Sequence, residues 1–112
     1  MSHTVVALTT LTDEAVRADY ERWLREVDAP TAAGMPGVLG FRVLRLEGPV
    51  LDGVGVPAHH YLELIEVADL DGFRTAMAGL PESFHASFRS FIGGMDVAHA
   101  APVVGPTTGG AA

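Results

Sequence analysis

Charged side chains interrupt two otherwise apolar segments of this sequence. Arg42 and Arg45 stand three positions apart in the first segment, and Glu63 and Glu66 stand three apart in the second. Residues an odd number of positions apart in a β-strand point to opposite faces, so each segment would present one charge on each face. An arginine can orient a carboxylate, an enolate or a carbonyl oxygen, and a desolvated carboxylate can act as a general acid or base near neutral pH.

The same residues could equally have a structural role. An arginine on a buried face has to find an anion, and an ion pair within the chain or across an interface would provide one. Such a pair would lower the pKa of the carboxylate and make it structural. Strand register, which the sequence leaves open, decides between these outcomes. We name Arg42 and Glu63 as catalytic candidates, Arg42 to hold developing negative charge and Glu63 to move a proton.

A proline break gives the segment of residues 26–31 its chemical interest. Pro30 lacks a backbone donor and disfavours helical geometry at the residue before it, so the preceding helix should break here. Asp28 and Thr31 flank the break and could cap the freed amides. They could also direct a carboxylate and a hydroxyl into a cavity. Asp28 is therefore a catalytic candidate, and Thr31 is a substrate-binding candidate.

The five histidines are not spaced as metal ligands. His59 and His60 are adjacent, so their rings diverge, and no His pair or His–carboxylate triad stands at ligand spacing. We predict no metal site. His60 is a catalytic acid/base candidate, and His85 and His99 are substrate-binding candidates. Hydrogen-bonded structural histidines remain the alternative.

Three aromatic residues complete the set of candidates. Tyr20 and Trp23 share the apolar side of a predicted helix, and Phe41 lies in a predicted strand. Aromatic side chains at helical spacing usually belong to a core. They can also grip a flat aromatic ligand against a sheet, so we predict that Tyr20, Trp23 and Phe41 bind substrate.

Composition excludes several classes of function. The 112 residues include no cysteine and no lysine, and the net charge is −7. These facts exclude thiolate chemistry, disulfides, Schiff-base and P-loop lysines, and they argue against a nucleic-acid partner. No nucleotide fingerprint, signal peptide or membrane-length apolar run is present. We expect a cytoplasmic protein with no membrane partner and no cofactor.

The periodicity of apolar residues predicts the elements that position these candidates. Strands are expected over residues 4–11, 38–46, 59–67 and 95–104. One helix starts at the Thr12 cap, a second starts at Asp69, Pro81 interrupts it, and a further helical stretch ends at Gly93-Gly94. The order β-α-β-β-α-β is the ferredoxin-like α+β arrangement, a four-stranded antiparallel sheet with helices on one face. We predict one domain over residues 1–104 and a flexible tail over 105–112.

The predicted sheet is apolar on both faces, which makes a partner necessary. Tyr61, Ile65 and Val67 alternate with Leu62 and Leu64 along one strand. Because the helices can cover only one face, we predict a homodimer through the other face, with a small-molecule pocket beneath the helices.

Four stretches of the sequence resemble the RedY-like proteins encoded in prodiginine and related pathways. They are REVDAPT (25–31), MPGVLGFRVLR (35–45), YLELIEV (61–67) and DLDGF (69–73). The resemblance implies a dimeric α+β barrel with a role in secondary-metabolite biosynthesis. The positions that match the narrower motifs are Glu26, Asp28, Pro30, Thr31, Phe41 and Arg42.

We therefore expect a small tailoring enzyme that binds an aromatic or polyketide-like intermediate. It would act by acid/base chemistry, in a cyclisation, an isomerisation or a condensation. The wider superfamily that the resemblance implies also includes cofactor-free oxygenases and non-catalytic members. A cofactor-independent monooxygenase and a small-molecule binding protein are accordingly the alternatives.

Overall fold

A computed structural model describes residues 2–110 of the chain. Its helices and strands follow one another as β1 (His3–Leu11), a 3₁₀ turn (Glu14–Val16), α1 (Arg17–Trp23), a π-turn (Leu24–Asp28), α2 (Ala29–Gly34), β2 (Val38–Arg45), β3 (Tyr61–Val67), α3 (Leu70–Ala78), α4 (Glu82–Phe91) and β4 (Ile92–Ala100). Residues 105–110 are exposed and form neither helix nor strand. Met1 of the predicted domain and Ala111 and Ala112 of the predicted tail lie outside the described residues.

The strands form one four-stranded sheet in the order β2-β3-β1-β4. Every neighbouring pair is antiparallel, and β1 and β3 are the central strands. This arrangement confirms the predicted ferredoxin-like fold. Since central strands are bonded on both edges, the side chains of β1 and β3 hold the most constrained positions in the sheet.

Strict alternation in β1 and β3 separates a helix-covered face from an open one. Every second residue of β3, beginning with Tyr61, is buried, and the residues between are only partly buried. The register places Glu63 opposite Ala7 and Val43, whereas Glu66 lies opposite Thr4. The prediction that Glu63 and Glu66 point to opposite faces is therefore confirmed.

Two separate apolar clusters pack on the helix-covered face. One contains Leu11, Tyr20, Leu24 and Tyr61, and the other contains Val5, Ile65 and Val67. Along β3, the position between Tyr61 and Ile65 is Glu63. The core is thus divided in the middle of the sheet, and a carboxyl group lies at the division.

The open sheet face carries the aliphatic side chains that no helix of this chain covers: Val6, Leu8, Leu44, Leu62 and Leu64. Polar groups border this face. Thr4 Oγ1 donates a 2.5 Å hydrogen bond to Glu66 Oε1 at one end. His59 contacts Thr10 Oγ1 and Asp96 Oδ2 at the other end, both at 2.8 Å.

The predicted break at Pro30 is wrong, because the helix passes through this residue without ending. The backbone widens to a π-turn over Leu24–Asp28, in which the Ala29 amide donates to the Leu24 carbonyl, and Pro30 then lies in the first turn of α2. Pro30 has no backbone N–H to donate. The π-turn before it shifts the hydrogen bonding away from the i−4 pattern, so the helix continues without the i−4 bond that Pro30 could not form.

The predicted start of the last strand is also wrong. Helix α4 runs directly into β4 at Ile92, so Gly93 and Gly94 belong to the strand. A Cβ atom on Gly93 would lie 3.3 Å from the Thr12 Cα, so this glycine allows a close backbone approach rather than a helix stop. In the described part of the chain, no helix has the length and apolar character to cross a membrane.

Candidate functional site

A cavity of about 220 Å³ lies between the helix-covered sheet face and the helices. It adjoins the second apolar cluster, whose Val5 and Ile65 line it. The side chains around it are Val5, Ala7, Asp28, Thr31, Ala32, Met35, Val38, Phe41, Glu63, Ile65, Phe73, Met77, Leu80, Phe84, His85, Phe88, Met95 and Val97. Asp28 and Glu63 are the only carboxylates in this lining, and His85 is its only other titratable group.

The π-turn places Asp28 in the cavity wall. A π-turn inserts one extra residue per turn and rotates the following side chains relative to a regular helix. Asp28 is the last residue of this turn, and it is 9 % exposed although its neighbours Val27 and Glu26 are on the solvent side. It caps no amide. Its burial is therefore not explained by a local structural role.

Glu63 lies at the centre of β3, and its side chain lines the same cavity as Asp28. Glu63 is 7 % exposed, and its strand neighbours Ala7 and Val43 are apolar. Among the described residues, no group donates a hydrogen bond to either carboxyl, and neither forms a salt bridge. This pair is consequently buried without the partners that usually accompany buried acids.

The environment raises the pKa of both carboxyl groups. Burial, and secondarily the charge of Asp28, raises the pKa of Glu63 to about 7. Burial raises the pKa of Asp28 to about 6. Desolvation disfavours the ionised form of an acid. Ionisation of one carboxyl also makes ionisation of a second carboxyl nearby less favourable. Near neutral pH the pair therefore holds a proton that it can give up or take back.

Two buried hydroxyl groups belong to the same region. Tyr20 and Thr9 are fully buried, and neither side-chain oxygen has a hydrogen-bond partner among the described residues. Burial and the nearby charge of Glu63 raise the pKa of Tyr20 well above its ordinary value, so its hydroxyl stays neutral. Thr9 was not predicted from the sequence, although it shares strand parity with the buried Ala7 and Leu11.

Aromatic side chains form the wall that faces the sheet. Trp23 lies 5.2 Å from Phe84 and 6.2 Å from Phe88, measured between ring centroids. Phe84 and Phe88 line the cavity, and Trp23 packs behind them. Thr31 and Phe41, both predicted to bind substrate, line the cavity directly, whereas Tyr20 and Trp23 support it.

The predicted histidines separate into different places. His85 lines the cavity and packs edge-on against Phe84 at 5.8 Å. His60 lies outside it, where its Nδ1 accepts a 2.9 Å hydrogen bond from the Leu11 amide. His99 is exposed on the edge strand β4, opposite Val5. Only His85 is brought to the carboxyl pair.

Arg42 is not brought to the carboxyl pair either. It lies opposite Leu64 in the sheet, and its side chain therefore shares the open sheet face. Arg45 lies opposite Tyr61 on the helix-covered face. It borders a shallow surface groove of about 290 Å³ rather than the cavity.

Internal ion pairs satisfy the charges around this groove. Arg45 donates to both oxygens of Glu21, at 2.6 and 2.7 Å, and the Tyr61 hydroxyl donates to Glu21 at 2.7 Å. These bonds, above all those from Arg45, hold the pKa of Glu21 at about 2. Arg42 also lines the groove and has no salt bridge among the described residues, but the groove contains no unpaired carboxyl group. The buried carboxyl pair therefore makes the cavity the better candidate site.

Several residues that line the cavity were not among the candidates from the sequence. Met35 follows α2, Phe73 and Met77 lie on α3, and Met95 lies on β4. Phe73 and Met77 stand four positions apart in the sequence, a spacing that is typical of one face of a helix. The periodicity of one helix cannot distinguish a packed core from the wall of a cavity.

Comparisons with known proteins agree on the family and the fold. A family model described as REDY-like protein HapK matches residues 3–103. The crystal structure of HapK from Hahella chejuensis shares 22% identity and a TM-score of 0.69, and the match covers 97% of this chain and 100% of that one. No match was found among curated proteins.

Two further solved structures show the same fold at lower identity. SnoaB from Streptomyces nogalater, described as a cofactor-independent oxygenase, is 21% identical with a TM-score of 0.69, over 93% of this chain and 95% of that one. A dimeric ferredoxin-like protein of unknown function from Thermobifida fusca is 13% identical with a TM-score of 0.62, over 91% and 92%.

Stability should fall with rising pH because of the carboxyl pair. A folded-state pKa of about 7 for Glu63, against an ordinary value of 4.5, means that the folded state binds more protons than the unfolded state between these values. The Glu63→Gln variant lacks this pH-dependent contribution. Its free energy of unfolding minus that of wild type should therefore be about 2 to 3 kcal/mol larger at pH 8 than at pH 5. Urea denaturation at several pH values measures the difference.

The matched control is Glu66→Gln, on the same strand but the open face. It leaves Asp28 and Glu63 in place and should retain the wild-type pH dependence. If Glu63→Gln showed the same pH dependence as Glu66→Gln, the raised pKa of Glu63 would be refuted.

Proposed function

The chain belongs to the REDY-like HapK family, and we propose on this premise that it is a tailoring enzyme of secondary-metabolite biosynthesis. Its substrate is an apolar, aromatic small molecule, and its chemistry is proton transfer by Asp28 and Glu63. The observation that supports this proposal is the pair of unpartnered carboxyls in the wall of an apolar cavity.

The pair is suited to moving a proton between carbon and oxygen. With pKa values of about 6 and 7, it carries about one proton at pH 6.5 and roughly half a proton at pH 7. One carboxylate removes a proton from the carbon next to a carbonyl, while the other carboxylic acid protonates the carbonyl oxygen. The C–H electron pair becomes the new C=C bond, and the product is a neutral enol.

The surroundings support the same chemistry. The apolar walls exclude water from the reacting groups, which strengthens hydrogen bonds to the transition state. Phe41 and Thr31 border the carboxyl pair and would hold an aromatic ring and one polar substituent. A cyclisation, an isomerisation or a condensation at a carbon next to a carbonyl can begin with enolisation, so this proposal applies to all three reaction types.

The first test uses an aromatic ketone as a surrogate substrate. Wild-type protein should accelerate exchange of the acidic C–H protons of 2-tetralone for deuterium in D₂O, followed by ¹H NMR. Glu63→Gln keeps the size of the side chain but cannot transfer a proton, and it should lower the rate by about 10²-fold or more.

Glu66→Gln is the control, since it changes a carboxyl on the other sheet face. If 2-tetralone binds but neither wild type nor Glu66→Gln accelerates exchange, the protein is a binding protein and the enzymatic proposal fails. Equal exchange rates in wild type and Glu63→Gln would instead show that Glu63 is not the acid/base group.

A cofactor-independent oxygenase is the second candidate, favoured by the shared fold with SnoaB. The first step would be the same proton removal. The electron-rich enol or its anion would then transfer two electrons to O₂ as a carbon–oxygen bond forms at the deprotonated carbon. The carbonyl would re-form, the outer oxygen would take up the proton, and the product would be a hydroperoxide. Oxygen consumption during 2-tetralone exchange, measured with an oxygen electrode, should rise in proportion to the protein if this candidate is correct. Exchange without consumption excludes it for this substrate.

We also propose that two copies of the chain associate through the open sheet face. Its leucines are uncovered within one copy, and Leu44 is 37% exposed. Arg42 lies on this face and forms no salt bridge with the described residues. A second copy would cover the leucines and supply carboxylates at the border. One structural relative is described as dimeric.

Leu62→Glu should therefore convert a dimer to a monomer. Leu62 lies on the open sheet face between Leu8 and Leu44, and a buried carboxylate among these side chains would oppose association. Light scattering after size-exclusion chromatography measures the mass. Val50→Glu, at a loop residue that is 94% exposed, is the control and should leave the dimer intact. A wild-type monomer would overturn this proposal.

A further inference from the structure

The two carboxyl groups that line the cavity carry the same negative charge when they are ionised. Asp28 and Glu63 are the acids, and His85 is the only basic side chain in the lining. The chain has no lysine, so an arginine would be needed to neutralise the pair. None of its arginines lines the cavity.

Each arginine lies elsewhere in the fold. Six of them form salt bridges with carboxylates outside the cavity: Arg17, Arg22, Arg25, Arg45, Arg74 and Arg89. The seventh, Arg42, lies on the open sheet face. A ligand with a carboxylate or phosphate would thus meet two acids and no fixed cation, at a large electrostatic cost in an apolar site.

The apolar part of the lining favours the opposite charge. Phe41, Phe73, Phe84 and Phe88 surround the cavity, and Met35, Met77 and Met95 fill the spaces between them. The face of an aromatic ring attracts a cation. Both the aromatic and the acidic components of the wall therefore stabilise positive charge.

We infer from this arrangement that the cavity selects aromatic ligands that carry a positively charged nitrogen, and that this nitrogen lies between the carboxyls of Asp28 and Glu63. This inference names the substrate class of the proposed function and rests on it. The ligand supplies the missing counter-charge, and the N–H groups satisfy carboxyl oxygens that have no other partner.

A protonated imine is the reactive form of such a nitrogen that this site can use. One carboxylate removes a proton from the carbon next to the C=N⁺ group, and the C–H electrons form a C=C bond. The C=N π electrons return to nitrogen as a lone pair. The product is a neutral enamine, so the reaction creates no anion that an absent arginine would have to stabilise.

Three naphthalene probes of matched size test the inference by isothermal titration calorimetry near pH 7. They are 2-(aminomethyl)naphthalene, which is protonated at this pH, 2-naphthalenemethanol, which is neutral, and 2-naphthoate, which is an anion. The ammonium probe should bind about 10- to 100-fold more tightly than the alcohol, and the naphthoate should bind more weakly than both.

The Asp28→Asn/Glu63→Gln double variant separates the carboxyl pair from the general charge of the protein. It should lose the preference for the ammonium probe but still bind the alcohol, whereas Glu66→Gln should keep the preference. Titrations in two buffers of different ionisation enthalpy should show proton release on binding of the ammonium probe to wild type, because a cation favours ionisation of the pair.

The results distinguish this inference from the proposed function. If naphthoate binds as tightly as the ammonium probe, or if the double variant keeps the preference, the inference is overturned even if 2-tetralone exchange is catalysed. If the preference is observed but exchange is not, the ligand class stands and the enzymatic proposal fails. Binding of none of the probes would overturn the inference as well.

Discussion

The burial of two carboxyl groups without a counter-charge is the constraint on which the rest of the site depends. Asp28 and Glu63 are both more than nine-tenths buried, and burial raises the pKa of each. A chain selected for stability alone would place an apolar side chain at either position. The two apolar clusters on either side of Glu63 compensate for this cost, because they hold the sheet and helices together around a centre that is not packed.

The π-turn is the local device that makes the pair possible. It lets one continuous helical segment contain Pro30 without a break, and it turns Asp28 from the solvent side to the sheet. π-turns within helices often occur at functional sites, since the extra residue is otherwise unfavourable. The facing group, Glu63, lies on a central strand and is fixed by hydrogen bonds on both strand edges. One acid thus depends on an irregular backbone, and the other depends on the most regular part of the fold.

The sequence predicted the features that follow from the regular spacing of apolar residues. Alternation along the strands predicted the sheet, its two apolar faces and the opposite orientations of Glu63 and Glu66. It did not predict which face would carry Arg42, because register is set by pairing between distant strands. A local hydrogen bond fixes the position of His60, and a π-turn lets the helix continue through Pro30. Neither feature leaves a periodic pattern in the sequence. Thr9 could have been found by extending the parity of Ala7 and Leu11 to the polar residue between them.

Two groups of secondary-structure elements form the cavity, and they contribute different kinds of side chain. The sheet and the π-turn carry the acids, whereas α3 and α4 contribute mainly apolar side chains that give the space its shape, among them Phe73, Met77 and Phe88, with His85 as the one titratable group from these two helices in the lining. Unbranched thioether side chains adapt to new neighbours at little cost. Substitutions of the apolar residues on α3 and α4 would accordingly change which molecules a related protein accepts. The two acids that transfer the proton would stay in place. The same division marks these two helices as the first place to randomise in laboratory evolution.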